Sequence, residues 1–216
     1  MARLRLLICD DHTLVRQGIR KILEEQPDWE VVAEADDGRS AVDQALALLP
    51  DVAILDVGTP QLNGIDAARL IVKKAPSIKV LMLSMHSDEA YVARSLGAGA
   101  KGYLLKDSAG TDLIRAVAAV AEGHSFFSPA VSRLMMDDYV RRAAGSDCGD
   151  RYDALSDRER EIFQLVAEGR SNKAVAAQLS ISAATVETHR ARILQKLDVH
   201  NTAELVLYAV RRGIVA

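Results

Sequence analysis

Short apolar runs alternate with stretches of helical periodicity over residues 1–124. The runs are RLLIC (5–9), EVVAEA (30–35), DVAIL (51–55), KVLMLS (79–84) and KGYLL (101–105). Between them, 13–25 places Val15, Ile19, Ile22 and Leu23 on one face, and helical patterns run over 39–49, 64–74, 88–96 and 108–122. Strands that are apolar throughout belong to a parallel sheet covered on both faces. Five β-α units therefore predict an α/β fold, a doubly wound five-stranded parallel sheet with right-handed crossovers. Residues 125–150 break the pattern. SPAVSRLMMDDYVRRA predicts one helix, with Ser128 as N-cap and Pro129 at the first helical position, and AGSDCGD reads as a flexible polar link. Residues 151–216 carry no strand pattern and predict four helices, near 156–168, 171–179, 182–197 and 201–212. The expected organisation is a domain at 1–124, a linker with one helix at 125–150, and a smaller all-α domain at 151–216.

Composition narrows the classes. Hydrophobic residues are 49% and charged residues 26% of the 216, which is ordinary globular usage. No apolar run approaches the ~20 residues needed to cross a bilayer. The start, MARLRLLICDD, has too short an apolar stretch for a signal peptide and reads as a strand. Cys9 and Cys148 have the spacing of neither a disulfide framework nor a zinc site, so a reducing cytoplasm is the expected location, with no membrane partner. The net charge of −3 gives no sign of nucleic acid, but it is uneven: 151–216 holds 10 Lys and Arg against 8 Asp and Glu. That is only weakly basic.

In parallel doubly wound sheets, ligands collect at the carboxyl ends of the strands. Asp10 and Asp11 follow the first strand, Asp56 the third, Ser84 the fourth and Lys106 the fifth. Three crowded carboxylates need counter-charge. Lys106 supplies part, and a hard divalent cation can supply the rest; Mg²⁺ takes one or two carboxylates and leaves positions for phosphate oxygens. The set fits phosphoryl transfer, with one Asp as nucleophile, Ser84 as hydrogen-bond donor and Lys106 neutralising the phosphoryl oxygens. The rivals are unrelated strand-end polar groups, or a metal-dependent phosphoester hydrolase. No GxxxxGK[ST] loop and no substrate insertion favours the hydrolase.

The segments DD, LDVGTP…NG, LS and KGYLLKD, over 4–122, resemble the receiver domain of bacterial response regulators. The resemblance implies that Asp56 is the phosphoacceptor, and that Asp11 and the Gly58 carbonyl ligate Mg²⁺, with Asp10 holding it through water. It further implies that Lys106 clamps the phosphoryl group, that Ser84 moves toward it, and that Tyr103 is the aromatic that rotates with Ser84. Tyr103 otherwise reads as a plain strand residue. Thr59 stands where a bulky apolar residue usually precedes the proline, and Asp107 where many receivers have proline.

The tail is densely punctuated. Ser156 and Glu159 form a capping-box pair, Gly169 closes that helix, and Ser171 opens the next. SISA then leads into ATVETHRARILQKL, the arrangement of a helix-turn-helix whose second helix enters the DNA major groove. Val186, Ile193 and Leu197 face the core; Glu187, Thr188, Ala191, Arg192 and Gln195 lie opposite. Ser171, Asn172, Lys173, Thr185, Arg190, Arg192 and Lys196 are candidates for phosphate contacts. His189 reads as packed or phosphate-contacting rather than metal-ligating. LSDRERE…VAEGRSNK…TVETH…KL resembles the LuxR-type helix-turn-helix over 154–216, and the whole chain resembles a NarL/FixJ-type transcriptional response regulator. Ala174 replaces a usual Glu and Asn201 a frequent Arg. The resemblance implies a regulator rather than an enzyme. A sensor histidine kinase would phosphorylate Asp56, the face of 86–107 would change its contacts, and a homodimer would bind DNA through 182–197. Leu205, Val206, Tyr208 and Ala209 of the last helix form an apolar surface that either packs on its own domain or also makes the two-fold contact. The alternative is a phosphorylation-independent transcription factor whose receiver serves only pairing or ligand binding.

Overall fold

A computed structural model describes residues 3–85, 87–133, 135, 136 and 151–215. The chain divides into two compact units, Met1–Ser146 and Asp147–Ala216. In the first, the elements run β1 (Leu4–Cys9), α1 (Thr13–Glu24), β2 (Trp29–Ala35), α2 (Gly38–Leu48), β3 (Val52–Asp56), α3 (Gly64–Lys74), β4 (Lys79–Ser84), α4 (Glu89–Gly97), β5 (Gly102–Leu105), α5 (Ala109–Ala121) and β6 (Phe126–Phe127). A 3-10 turn, Lys106–Ser108, precedes α5, so that helix starts one residue later than its pattern predicts.

All strand pairs are parallel, in the order β2-β1-β3-β4-β5-β6. The two-residue pleat divides each strand between two cores. Leu7, Cys9, Ala53 and Leu55 join α2, α3 and α4 on one face. Leu6, Ile8, Val52 and Ile54 join Ile19 and Leu23 of α1 and Leu113 and Val117 of α5 on the other. With helices on both sides, β3 is buried at all five positions, which is why its run shows no polar alternation.

The sheet holds six strands where the pattern predicts five. The sixth is the Phe126–Phe127 pair, too short to show a period, recruited by pairing with Gly102 and Tyr103. Beyond it 129–133 is helical and Val131 is fully buried in the first unit's core. Ser128 starts this turn through its carbonyl, which accepts from the Ser132 N–H. Its Oγ is buried without a partner among the described residues, so the predicted side-chain cap is not seen there. The rest of that predicted helix, the AGSDCGD link and Cys148 lie outside the described residues.

The second unit is helical: a 3-10 turn at Arg151–Ala154, then α6 (Asp157–Ala167), α7 (Asn172–Gln178), α8 (Ala183–Leu197) and α9 (Thr202–Arg211). Ser156, Ser171, Ser182 and Asn201 each cap a helix by accepting from the backbone N–H three residues on. Gly169 takes a left-handed conformation after α6 (φ 82°). Tyr152, Phe163 and Tyr208 stack edge to face, at 5.5 and 6.1 Å between ring centres. Val186, Ile193 and Leu197 lie in the same core. No helix among the described residues is long and apolar enough to cross a membrane.

One contact fixes the turn behind Asp56. Gly64 donates its N–H to the Val57 carbonyl at 3.0 Å, and a β-carbon on Gly64 would lie 1.9 Å from the Asp56 carbonyl oxygen. Gly64→Ala is therefore expected to lose about 1–3 kcal/mol of stability by overpacking. Gly18→Ala, exposed in α1 with nothing within 4 Å of the added carbon, gains up to about 1 kcal/mol. Denaturant titration followed by fluorescence of Trp29, the chain's single tryptophan, reads both in the first unit.

Candidate functional site

The pocket is assembled at the carboxyl edge of the sheet from three loops. Asp10 follows β1 and is fully buried, and Asp56 ends β3 with 5% of its surface exposed. Lys106 follows β5 and reaches both: its Nζ lies 2.8 Å from Asp10 Oδ2 and 2.9 Å from Asp56 Oδ2. Asp11 is on the exposed rim beside His12, whose Nδ1 is 2.8 Å from Asp11 Oδ1 and 3.3 Å from Asp10 Oδ1. Donor atoms of Asp10, Asp11, His12 and Asp56 all lie within 4.8 Å of one another. Sequence reasoning assigns no role to His12; the only signal is its place directly after the two aspartates.

Electrostatics leave this cluster short of positive charge. Burial raises the pKa of Asp56; the hydrogen bond and charge of Lys106 and the Gly58 N–H oppose that, while the charge of Asp10 adds to it. Burial works against the Lys106 ammonium, but Asp10 and Asp56 outweigh it, and its pKa is raised. Asp10 and Asp56 thus share one ammonium with Asp11 close by, and a divalent cation would balance the remaining charge. The donor set, three carboxylates and the His12 imidazole with atoms within 4.8 Å of one another, fits a small divalent ion.

Surrounding residues hold the geometry. Arg16 donates from Nη1 to the Asp10 carbonyl at 2.5 Å and pairs through Nε with Glu34 at 3.2 Å; the sequence pattern shows only a polar residue of α1 there. The Asp10 Oδ1 accepts from the His12 N–H at 2.9 Å. In the loop after Asp56, Thr59 is buried and donates its hydroxyl to the Leu62 carbonyl at 2.9 Å. The Asn63 side chain caps α3 at Asp66. Ser84 and Tyr103 are fully buried, with their hydroxyls hydrogen-bonded to each other. Burial, the largest cause, pushes the Tyr103 pKa well up, so the phenol stays neutral.

In the second unit, Thr185, Glu187, Thr188, Ala191, Arg192 and Gln195 are exposed on α8. The candidate cations behave differently. Arg190 bridges helices, donating to Asn172 Oδ1 and Thr202 Oγ1, both at 2.6 Å. Lys196 pairs with buried Glu159 at 2.6 Å. Lys173 and Arg192 are exposed, with no polar partner among the described residues. Ser171 and Thr185 sit at the N-termini of α7 and α8, where Ser171 accepts from Ala174 N–H and Thr185 shares a 2.8 Å bond with Ser182. Ala174 is exposed, and Asn201 is the cap of α9.

Residues 6–118 match the family described as "Response regulator receiver domain", and residues 153–209 match "Bacterial regulatory proteins, luxR family". The chain is 36% identical to the transcriptional regulatory protein DegU of Brevibacillus brevis over 99% of this chain and 95% of that protein. It is 37% identical to the oxygen regulatory protein NreC of Staphylococcus carnosus, over 98% and 99%. A solved structure of two RcsB dimers bound to two parallel DNAs is similar at TM-score 0.59 and 30% identity, covering 96% of this chain and 98% of that one.

Glu159 gives a pH test. Burial raises its pKa, but Lys196 and the Ser156 cap outweigh burial and hold it below the ordinary carboxylate value. Its contribution is thus complete above the unfolded carboxylate range and is lost as pH falls through and below that range. Glu159→Gln is expected to lower the neutral-pH melting temperature and flatten the acid limb of the second unit's transition. Circular dichroism melts checked against Trp29 fluorescence separate that transition from the first unit's.

Proposed function

The chain belongs to the NarL/FixJ-type two-component response regulators, a receiver joined to a LuxR-type DNA-binding domain, and from that premise we propose that Asp56 accepts a phosphoryl group from a sensor histidine kinase. The observation that carries this reading is the Lys106 ammonium shared between Asp10 and Asp56 at a pocket rim that also bears Asp11. An Asp56 carboxylate oxygen attacks phosphorus in line as the bond to the donor breaks, and the phosphoryl oxygens that result face Lys106. Asp10, Asp11 and Asp56, with the Gly58 carbonyl, would hold Mg²⁺, which when bound offsets the charge of the transferring group. Lys106 stays fully protonated beside two carboxylates and so remains a clamp rather than a proton donor.

Ser84 carries the event onward. Its hydroxyl bonds Tyr103, and turning toward the new phosphoryl oxygens requires that bond to be exchanged. Tyr103 then settles in a changed position on β5. This is a population shift, and the acyl phosphate must favour the active state by several kcal/mol to move a mostly inactive population. The active state pairs two copies. Support comes from the RcsB dimers on DNA and from Leu207 and Val210, which α9 leaves 55% and 48% exposed. Leu205 and Ala209, expected on the pairing surface, are instead buried in the unit's own core with Tyr208 packed against it, because the helix turns that face inward. A symmetric pair then sets two α8 helices about one helical turn apart on DNA. Glu187, Thr188 and Ala191 face the bases; Lys173 and Arg192 take phosphates. Ser171, Asn172, Thr185, Arg190 and Lys196 frame that surface, with Arg190 and Lys196 acting mainly to brace α8. The regulator works in the cytoplasm, where kinase and DNA are both available.

Asp56→Asn is expected to abolish labelling by a small acyl-phosphate donor with Mg²⁺; persistent labelling would mean another acceptor. Arg192→Ala and Lys173→Ala should each weaken binding to selected DNA and lower the salt-dependence slope by about one, with melting unchanged. Lys196→Ala should lower melting temperature first. Filter-binding isotherms at several salt concentrations separate these outcomes.

A further inference from the structure

His12 is the one member of the pocket to which phosphoryl transfer gives no task. Its backbone N–H is held by Asp10 Oδ1, which fixes the residue at the rim. The side chain is 66% exposed, yet Nδ1 points inward, 2.8 Å from Asp11 and 3.3 Å from Asp10. Its donor atom and those of Asp10, Asp11 and Asp56 lie within 4.8 Å of one another. Two ligands on opposite sides of one small cation are separated by about 4.2 Å, so modest closure brings all four to a common ion. A separate sign of a cation is the charge balance of Asp10, which is fully buried and shares the single Lys106 ammonium, 2.8 Å away, with Asp56, so the buried pair keeps a net negative charge that an ion would offset.

Donor chemistry then decides which cation gains. Mg²⁺ is hard and prefers oxygen, keeping water rather than taking imidazole. First-row transition cations bind imidazole well, in an order that rises from Mn²⁺ to Ni²⁺. We infer that His12 is a nitrogen ligand that makes this pocket a mixed nitrogen–oxygen site, binding Mn²⁺, Co²⁺ and Ni²⁺ more tightly than Mg²⁺. The inference rests on the proposed metal-assisted pocket and adds to it a residue that sets metal preference. His12 is a ligand here and takes no part in the bond-making at Asp56.

The test uses untagged full-length protein at one fixed pH. Calorimetric titrations with Mg²⁺, Mn²⁺ and Ni²⁺ are paired with pulsed electron paramagnetic resonance of the Mn²⁺-loaded chain. Wild type should show nitrogen coupling from a directly bound imidazole. His12→Ala should lose that coupling and weaken Ni²⁺ and Mn²⁺ by at least about tenfold while leaving Mg²⁺ within about twofold. The variant keeps the backbone bond to Asp10, and unchanged Trp29 fluorescence on denaturation verifies its fold. Absence of nitrogen coupling in wild type, or its persistence in His12→Ala, overturns the inference. So does an equal loss for Mg²⁺ and Ni²⁺, which would make His12 a support for Asp11. If acyl-phosphate labelling with Mg²⁺ survives those results, only the role of His12 falls. If no cation binds and no labelling occurs, the phosphoacceptor reading falls with it.

Discussion

One ammonium lying between two buried carboxylates is the constraint on which the first unit depends. A buried like-charged pair costs several kcal/mol unless an opposite charge is fixed beside it. Lys106 meets that need at 2.8 and 2.9 Å, but only because β1, β3 and β5 end at one edge of a parallel sheet. Their register, with Leu55 beside Cys9 and Met82, and Leu83 beside Asp56, aligns the strand ends. Burial of β3 on both faces removes water from behind Asp56, and one cation then serves two anions. The resulting shortage of positive charge is what a divalent ion would fill, and that ion together with Lys106 would then face an incoming phosphoryl group.

The loops around that edge are held by local contacts. Gly64 lies against the Asp56 carbonyl, Thr59 satisfies its buried hydroxyl on Leu62, and Arg16 anchors the Asp10 carbonyl while its other nitrogen engages Glu34. A threonine is tolerated where a bulky apolar side chain is usual in this family because its hydroxyl closes the turn. Behind that edge, the fully buried Ser84 and Tyr103 hydroxyls bond each other.

The second unit solves a different problem with little charge. Four helices each begin with a side-chain cap, so short segments hold their ends without long propensity-driven runs. Two of the cations that a sequence reader would assign to DNA, Arg190 and Lys196, have polar partners inside the unit. Their interactions tie α8 to its neighbours, whereas Lys173 and Arg192 are exposed.

The sequence by itself determined the alternation of strands and helices, the capped helices of the tail, and the carboxylates, hydroxyl and lysine at strand ends. These are local signals: period, punctuation and residue type at the end of an apolar run. It predicted five strands because the Phe126–Phe127 pair is too short to show a period and exists only as a partner for β5. It gave no role to His12 or Arg16, whose function depends on which side chains the sheet brings across from other loops. It listed Arg190 and Lys196 with Lys173 and Arg192 as equal cations. Only tertiary structure told them apart, because whether a charge faces water or a neighbouring helix is set by packing between elements distant in the chain, and no local pattern encodes that.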